Sequence, residues 1–206
     1  MADYNREQVI KNNLEFSRLN KKPKDVDIYV DMDNTICLFS IHGKEPEALV
    51  KMYEEGYYKN LPVLDDAVKV LPVLQAIGFN VFILSACINS PYCRKEKMEW
   101  ISYHLPTIEK DKIILCDVGE DKARFVRDIR RSILIDDFHR NIQKWLDAGG
   151  VAIKKTYSNK PRPVLTIHNF VEIFQILYSL GVLNNPTNLT SQEQIERNLC
   201  LEYWVE

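Results

Sequence analysis

The sequence has no apolar run approaching the ~20 residues that a membrane span requires, and its first residues, MADYNREQVIKNN, are polar and charged where an export signal needs an apolar stretch. The chain is therefore expected to be soluble, unexported and cytoplasmic, with no membrane association. It also has no surplus of charge. The 27 basic and 29 acidic residues leave a net charge of −2, without the basic excess that general nucleic-acid binding uses, so a polynucleotide partner is disfavoured. CxxC spacing is missing as well. Cys37, Cys87, Cys93, Cys116 and Cys200 are an odd, scattered set, several beside apolar runs, which reads as reduced core thiols rather than a zinc site. Internal repeats and low-complexity tracts are absent, and the sequon Asn188-Leu189-Thr190 has no export signal to give it meaning. What is there, 206 residues with 46% hydrophobic content, suffices for one domain, or a core with one small insertion.

The first twenty residues lack Gly and Pro and carry Val9, Ile10, Leu14 and Phe16 among charges, which predicts an accessory packing helix over about 4–19. From Val26 the pattern becomes the β-branched run V-D-I-Y-V, a strand that stops at Asp31. Further strand-like runs cover residues 79–84, 112–115, 132–135 and 151–153. Helical periodicity separates them, over Asp65 to Ala76, Tyr92 to His104, Asp121 to Ile129 and Asn141 to Ala148. Strands that look buried on both faces, alternating with helices of about three turns, predict an α/β fold: a doubly wound parallel sheet with helices on both faces. Past Lys155, residues 158–163 read as a loop, followed by a helix from about Asn169 to Leu180. Ser191 with Gln194 has the capping-box spacing for a last helix over about 191–204.

In such sheets ligands bind beyond the carboxyl ends of the strands. The first strand ends in Asp31-Met32-Asp33-Asn34-Thr35, and the fourth in Asp136-Asp137. Either pair of carboxylates can serve as helix or turn caps. If the two strands are neighbours, however, four carboxylates converge and need a cation between them, and an all-oxygen set favours Mg²⁺ over zinc. The second run ends in Ser85, suited to hold a phosphate oxygen or to cap a helix. Lys122 opens the predicted helix after the third strand, where the helix dipole disfavours a cation unless the lysine reaches an anion; a solvated lysine is the alternative.

These residues, in this order, resemble the four motifs of the haloacid dehalogenase-like phosphohydrolases. Within them the chain resembles the 5′(3′)-deoxyribonucleotidases and their bacterial and phage relatives. Gly56-Tyr57-Tyr58-Lys59-Asn60-Leu61 is similar to that family's Gly-aromatic-aromatic segment, and Glu96-Lys97-Met98-Glu99-Trp100-Ile101 to its Glu-Lys-x-x-Trp-Val helix. Leu134-Ile135-Asp136-Asp137 with Asn141, Trp145 and Gly149-Gly150 is similar to the bacterial fourth-motif block. The likeness spans roughly Val26 to Lys154. It implies a single domain over 1–206, with a core over about 24–40 and 62–170 and a small helical cap insertion over about 41–61.

The resemblance also implies roles. Asp31 would be the nucleophile and form an aspartyl-phosphate, and Asp33 the acid and base. Mg²⁺ would be held by Asp31, the backbone carbonyl of Asp33 and the Asp136-Asp137 pair. Ser85, Lys122 and Lys97 would contact the phosphate, Tyr57 would line the substrate site, and Phe39 would stack on a base. From composition alone Phe39 fits ordinary core packing equally well, and Lys97 is one more helix lysine. The implied activity is Mg²⁺-dependent hydrolysis of nucleoside monophosphates; a phosphosugar or other small phosphoester is the alternative substrate, and a non-catalytic binding module on the same scaffold is the alternative class. The terminal helices are the candidate surface for a homo-oligomer. Two departures bear on substrate: the Asp33 to Gly56 stretch is shorter than the cap of the animal enzymes, and Ala86 stands where those enzymes have a second hydroxyl residue.

Overall fold

The computed structural model describes residues 4–19, 21–39 and 46–183. Six parallel strands form one sheet in the order β3-β2-β1-β4-β5-β6: β1 Asp27–Val30, β2 Asn80–Cys87, β3 Ile113–Asp117, β4 Ser132–Asp136, β5 Val151–Lys155 and β6 Leu165–Ile167. β1 and β4 are therefore neighbours, and the register aligns Val30 with Ile135, which brings Asp31 level with Asp136. Every residue of β4 and β5 is buried, as expected of central strands covered on both faces.

The helices are α1 Arg6–Arg18, α2 Pro46–Lys51, α3 Asp65–Ile77, α4 Cys93–His104, α5 His139–Asp147 and α6 Ile173–Ser179. α3 and α4 connect strands that progress from β1 toward β3, whereas α5 connects β4 to β5 in the opposite direction. Right-handed crossovers thus place α5 on the other face of the sheet from α3 and α4. α5 buries Ile142, Trp145 and Leu146, the i, i+3, i+4 stripe of an amphipathic helix. Gly150 lets the chain pass close beneath it: a Cβ there would lie 2.4 Å from Trp145 Nε1. α1 packs on α5 and is tied to it by Asn12, whose amide donates to the carbonyls of Leu146 (2.8 Å) and Gly150 (2.9 Å) at the end of that helix.

Three expectations differ in detail. The periodicity over 121–129 forms two short 3₁₀ turns, Lys122–Phe125 and Ile129–Arg131, capped by Asp121 and Asp128; each aspartate accepts from the backbone amide two residues on, which favours tight turns over a continuing helix. β6 lies between the expected loop over 158–163 and the expected helix from about Asn169, where no element was expected, because Leu165-Thr166-Ile167 is a three-residue run too short to stand out as a strand. β2 continues past Ser85 to Cys87 because Ala86 and Cys87 still pair with Cys116 and Asp117. The helix predicted over 191–204 lies outside the described residues, as do Cys200 and residues 41–45 of the cap insertion; Cys37, Cys87, Cys93 and Cys116 are buried free thiols. Among the described residues, no helix is long and apolar enough to cross a membrane.

Candidate active site

The turn after β1 folds around one carbonyl: Met32 O accepts from the amides of Thr35 (3.2 Å), Ile36 (2.9 Å) and Cys37 (3.2 Å). Asn34 takes a positive φ of 55°, a conformation asparagine tolerates, and its Oδ1 accepts from Phe39 N at 3.0 Å. This fixes Asp31 and Asp33 on either side of the buried Met32.

Asp31, Asp136 and Asp137 each place a carboxylate oxygen within 4.8 Å of the others. Lys122, 3% exposed, bridges the first two, donating to Asp31 Oδ1 at 2.6 Å and Asp136 Oδ2 at 2.7 Å. Asp136 also accepts from Phe138 N (2.7 Å) and Asn141 Nδ2 (2.9 Å). Burial pushes the Asp31 carboxyl up to about 8; Lys122 opposes this, and Asp136 adds to it. Burial likewise pushes Asp137 to about 6, with Asp136 adding and Lys154 and Lys122 opposing. Burial works against the charge on Lys122, but Asp31 and Asp136 outweigh it and hold the ammonium above its usual value. Three carboxylates around one lysine remain short of positive charge, and an all-oxygen set suits a hard divalent cation.

The Asp33 carboxylate is not part of that group. Its Oδ2 accepts from Lys97 Nζ at 2.6 Å, while its Oδ1 is buried without a hydrogen-bond partner. Lys97 is fully buried and also donates to Ser85 Oγ (3.0 Å) and the Ala86 carbonyl (2.8 Å). Burial disfavours its charge, but Asp33 outweighs that and raises its pKa. Nothing in the sequence distinguishes Lys97 from other helix lysines; the resemblance alone pointed to it.

The residue before it was missed as a functional position. Glu96, 2% exposed, accepts from the amides of Gly56 (2.5 Å), Tyr58 (2.9 Å) and Lys59 (3.4 Å), and Trp100 Nε1 donates to Leu61 O at 2.8 Å. The Gly-Tyr-Tyr segment and the Glu-Lys-x-x-Trp helix are thus one device: α4 clamps the base of the cap with Glu96 and Trp100 while aiming Lys97 at the aspartates. Gly56 needs its φ of 91° to make that turn. Above it, Phe39, Tyr57 and Tyr58 form an aromatic cluster with ring centroids 5.0–6.3 Å apart, and Tyr57 Oη donates to Phe39 O at 3.4 Å. Phe39 and Tyr57 are half-buried.

A family model described as "5′ nucleotidase, deoxy (Pyrimidine), cytosolic type C protein" matches residues 41–182, a segment that starts after Asp31 and Asp33 but contains Ser85, Lys97, Lys122 and both of Asp136 and Asp137. No curated protein matches significantly. Similar solved structures include a HAD-superfamily hydrolase from Ehrlichia chaffeensis (TM-score 0.51, 17% identity, covering 78% of this chain and 99% of that one). Another is a HAD family hydrolase from Deinococcus radiodurans R1 with bound phosphate and sodium (TM-score 0.53, 15% identity, covering 80% and 99%). At these identities the likeness shows the fold, and that fold supplies the strand β1 which the matched segment omits. The nucleotidase match covers more than half of the chain and carries three of the four motifs; the chain therefore belongs to that 5′-nucleotidase family, as a phosphoric monoester hydrolase built on the HAD fold.

Proposed function

We propose that the protein is a Mg²⁺-dependent phosphatase that hydrolyses nucleoside monophosphates in the cytoplasm through an aspartyl-phosphate intermediate. The observation that carries the mechanism is the division of labour between two neighbouring carboxylates. Asp31 is held by Lys122 in the acidic cluster, whereas Asp33 is held by Lys97 outside it and keeps a buried oxygen without a partner.

Asp31 attacks phosphorus, forming the new O–P bond as the bond to the ester oxygen breaks. Asp33 delivers its proton to that departing oxygen, then takes a proton from the water that cleaves the aspartyl-phosphate. Its unpartnered Oδ1 is the atom left open for this transfer. Lys97 orients Asp33, and its contact with Ser85 Oγ supports a shared role for the two in binding the phosphoryl oxygens. Lys122 favours the ionised, nucleophilic form of Asp31 and so works against the burial that raises its pKa, and a cation in the acidic cluster would act in the same direction. Mg²⁺ fits the cluster of Asp31, Asp136 and Asp137, with the Asp33 backbone carbonyl as the further ligand implied by the resemblance, and when bound it neutralises charge on the phosphoryl group. The half-buried Phe39 and Tyr57, backed by the buried Tyr58, offer aromatic surface to a planar base, which supports a nucleotide over a bare sugar phosphate.

The test is phosphate release from dUMP, dTMP, a ribonucleotide and a sugar phosphate, with Mg²⁺ and with chelator. Turnover of the nucleotides alone, abolished by chelator and by Asp31→Asn, is the expected result. Turnover surviving Asp31→Asn would remove the aspartyl-phosphate, and equal turnover of the sugar phosphate would remove the nucleotide preference.

A further inference from the structure

The buried cysteines among the described residues are of two kinds. Cys37 and Cys116 each donate to a core carbonyl, Met32 O at 3.4 Å and Ser85 O at 3.6 Å, and burial raises both thiols above their usual pKa. Cys87 and Cys93 instead meet each other. Cys87 is the last residue of β2, held by its pairing with Asp117 and by its carbonyl, which accepts from Val118 N at 3.0 Å; Cys93 is the first residue of α4. The loop between them turns on itself, with Ser90 N donating to Ile88 O (2.8 Å) and Tyr92 N to Ser90 Oγ (3.3 Å), and its Asn89 and Pro91 are exposed. At the neck of this surface loop the two thiols, each 1% exposed, are hydrogen-bonded to one another.

The pair is asymmetric. The Cys93 sulfur accepts from the Cys87 thiol, the Tyr58 hydroxyl and the Ile88 amide. The Cys87 bond leads in pulling Cys93 down to about 6 against its burial, and the same bond raises Cys87. The N-terminus of α4 favours the Cys93 thiolate as well. A thiolate bonded to a thiol is the arrangement of an attacking and a resolving cysteine. The reaction proposed above uses neither, yet the pair borders its machinery. Ser85 Oγ and the Ala86 carbonyl, just before Cys87, both accept from Lys97, which lies one turn of α4 beyond Cys93 and 5.4 Å from the centre of the Tyr58 ring.

We propose that Cys87 and Cys93 are a peroxide-responsive modification site, oxidised to a disulfide that disables the active site by tying the end of β2 to the first turn of α4. The oxidant is a hydroperoxide, of which hydrogen peroxide, close to water in size, is the simplest. The Cys93 thiolate attacks one peroxide oxygen: the S–O bond forms as the O–O bond breaks, and the departing hydroxide takes up the proton that Cys93 had given up and leaves as water. The Cys87 sulfur then displaces the hydroxyl of the sulfenic acid: the S–S bond forms, the S–O bond breaks, and the Cys87 proton leaves with that hydroxyl as a second water. Two thiols and one peroxide thus become one disulfide and two waters, with sulfur oxidised and the peroxide oxygens reduced. Closing the bond draws the sulfurs to ~2 Å and takes Cys93 away from Tyr58, so the first turn of α4 moves beneath Lys97. The effect on turnover rests on the phosphomonoesterase reading above; the disulfide does not.

Both cysteines lie in one tryptic peptide, residues 70–94, which has no lysine or arginine before Arg94. The full chain is treated with hydrogen peroxide, labelled with N-ethylmaleimide in denaturant and read by mass spectrometry after digestion. Untreated, this peptide should carry a maleimide on each cysteine; after peroxide it should carry none and be lighter by two hydrogen atoms, with Cys37 and Cys116 still labelled. Dithiothreitol should restore both labels. Phosphate release from dUMP by the same samples should fall roughly tenfold or more with the disulfide, the scale of a displaced positioning group, and return with dithiothreitol. Cys87→Ser, which lacks the resolving thiol, should stop at a Cys93 sulfenic acid trapped by dimedone; the wild-type labelling stands whether or not this variant folds. Labels kept on both cysteines after peroxide, preferential oxidation of Cys37 or Cys116, a folded Cys87→Ser without a dimedone adduct, or a disulfide that leaves turnover unchanged would overturn the proposal. A lighter peptide in a protein that turned over no nucleotide beforehand would refute the phosphatase reading and keep the disulfide. Nucleotide turnover with both labels kept after peroxide would do the reverse.

Discussion

Replacing Glu96 by Gln separates holding the substrate from transforming it. Glu96 accepts from the amides of Gly56, Tyr58 and Lys59 at 2.5, 2.9 and 3.4 Å, with both carboxylate oxygens engaged and the side chain 2% exposed. A glutamine of the same shape keeps one acceptor and turns an NH₂ toward the other donors. At least one buried amide then loses its partner, at about 1–3 kcal/mol, and the remaining bond loses its charge assistance. A total near 3 kcal/mol lowers the melting temperature by roughly 6–12 °C for a chain of this size. Lys97, the next residue on α4, keeps its bonds to Asp33 and Ser85, so the reacting carboxylates stay in place. The damage falls on the segment carrying Tyr57 and Tyr58. KM for a nucleotide should therefore rise about tenfold with kcat changed little, while a small aryl phosphate, which has no base to hold, should be hydrolysed nearly as before. Thermal denaturation and steady-state kinetics on the two substrates check this. A melting temperature within 2 °C of wild type, or an equal fall in turnover of both substrates, would refute the assignment of Glu96 to the cap.

Gly150→Ala should cost about 3 kcal/mol or more, because the new methyl would sit 2.4 Å from Trp145 Nε1 and 2.9 Å from Ile129 Cδ1 in a fully buried site. At Gly149, with φ 93° and open space, the same change should cost only about 1 kcal/mol of backbone strain, and thermal denaturation of the pair reads the difference. Burial, with Arg131 adding, pulls the buried Lys21 ammonium down to about 8, while the unfolded chain keeps the usual 10.5. Between those values the unfolded state holds more protons, so Lys21 becomes less of a burden as pH rises. The stability difference between wild type and Lys21→Met should shift toward the wild type from pH 8 to 10 in denaturant titrations, since both proteins share the buried thiols and tyrosines; a constant difference would contradict it.

Much of the site was legible because its chemistry sits where strands stop. Asp31 and Asp136 each follow an uninterrupted apolar run, and the parallel-sheet rule says to look there. That β1 and β4 are neighbours could only be supposed from the sequence; the register that sets Asp31 beside Asp136 is a tertiary fact. Ser85 looked like a strand end because the apolar run thins there, but pairing with β3 carries β2 two residues further. Glu96 escaped for a different reason. Glu96 lies on a helix whose charges look like a solvated face, and only the approach of Gly56 and Tyr58 buries it.

The same burial logic divides Asp136 from Asp137, which the sequence presents as interchangeable neighbours. Asp136 is fully buried, and its two oxygens accept from Phe138 N, Lys122 Nζ and Asn141 Nδ2 at 2.7–2.9 Å. Asp137 makes no hydrogen bond among the described residues, so both its oxygens are available to a cation. Asp136→Asn should then unfasten the turn into α5 and strip Lys122 of a buried partner, costing about 3–5 kcal/mol as well as activity. Asp137→Asn removes a carboxylate that the fold does not use. Its melting temperature without metal should stay within about 2 °C of wild type or rise, since a charge repelled by Asp136 and penalised by burial is gone. The stabilisation gained on adding Mg²⁺ should fall instead, through an affinity weakened at least tenfold. Melting curves of both variants across a Mg²⁺ titration decide the matter. Equal loss of stability in the two without metal, or an unchanged Mg²⁺ response in Asp137→Asn, would show that the pair acts as one ligand and not as a fastener and a ligand.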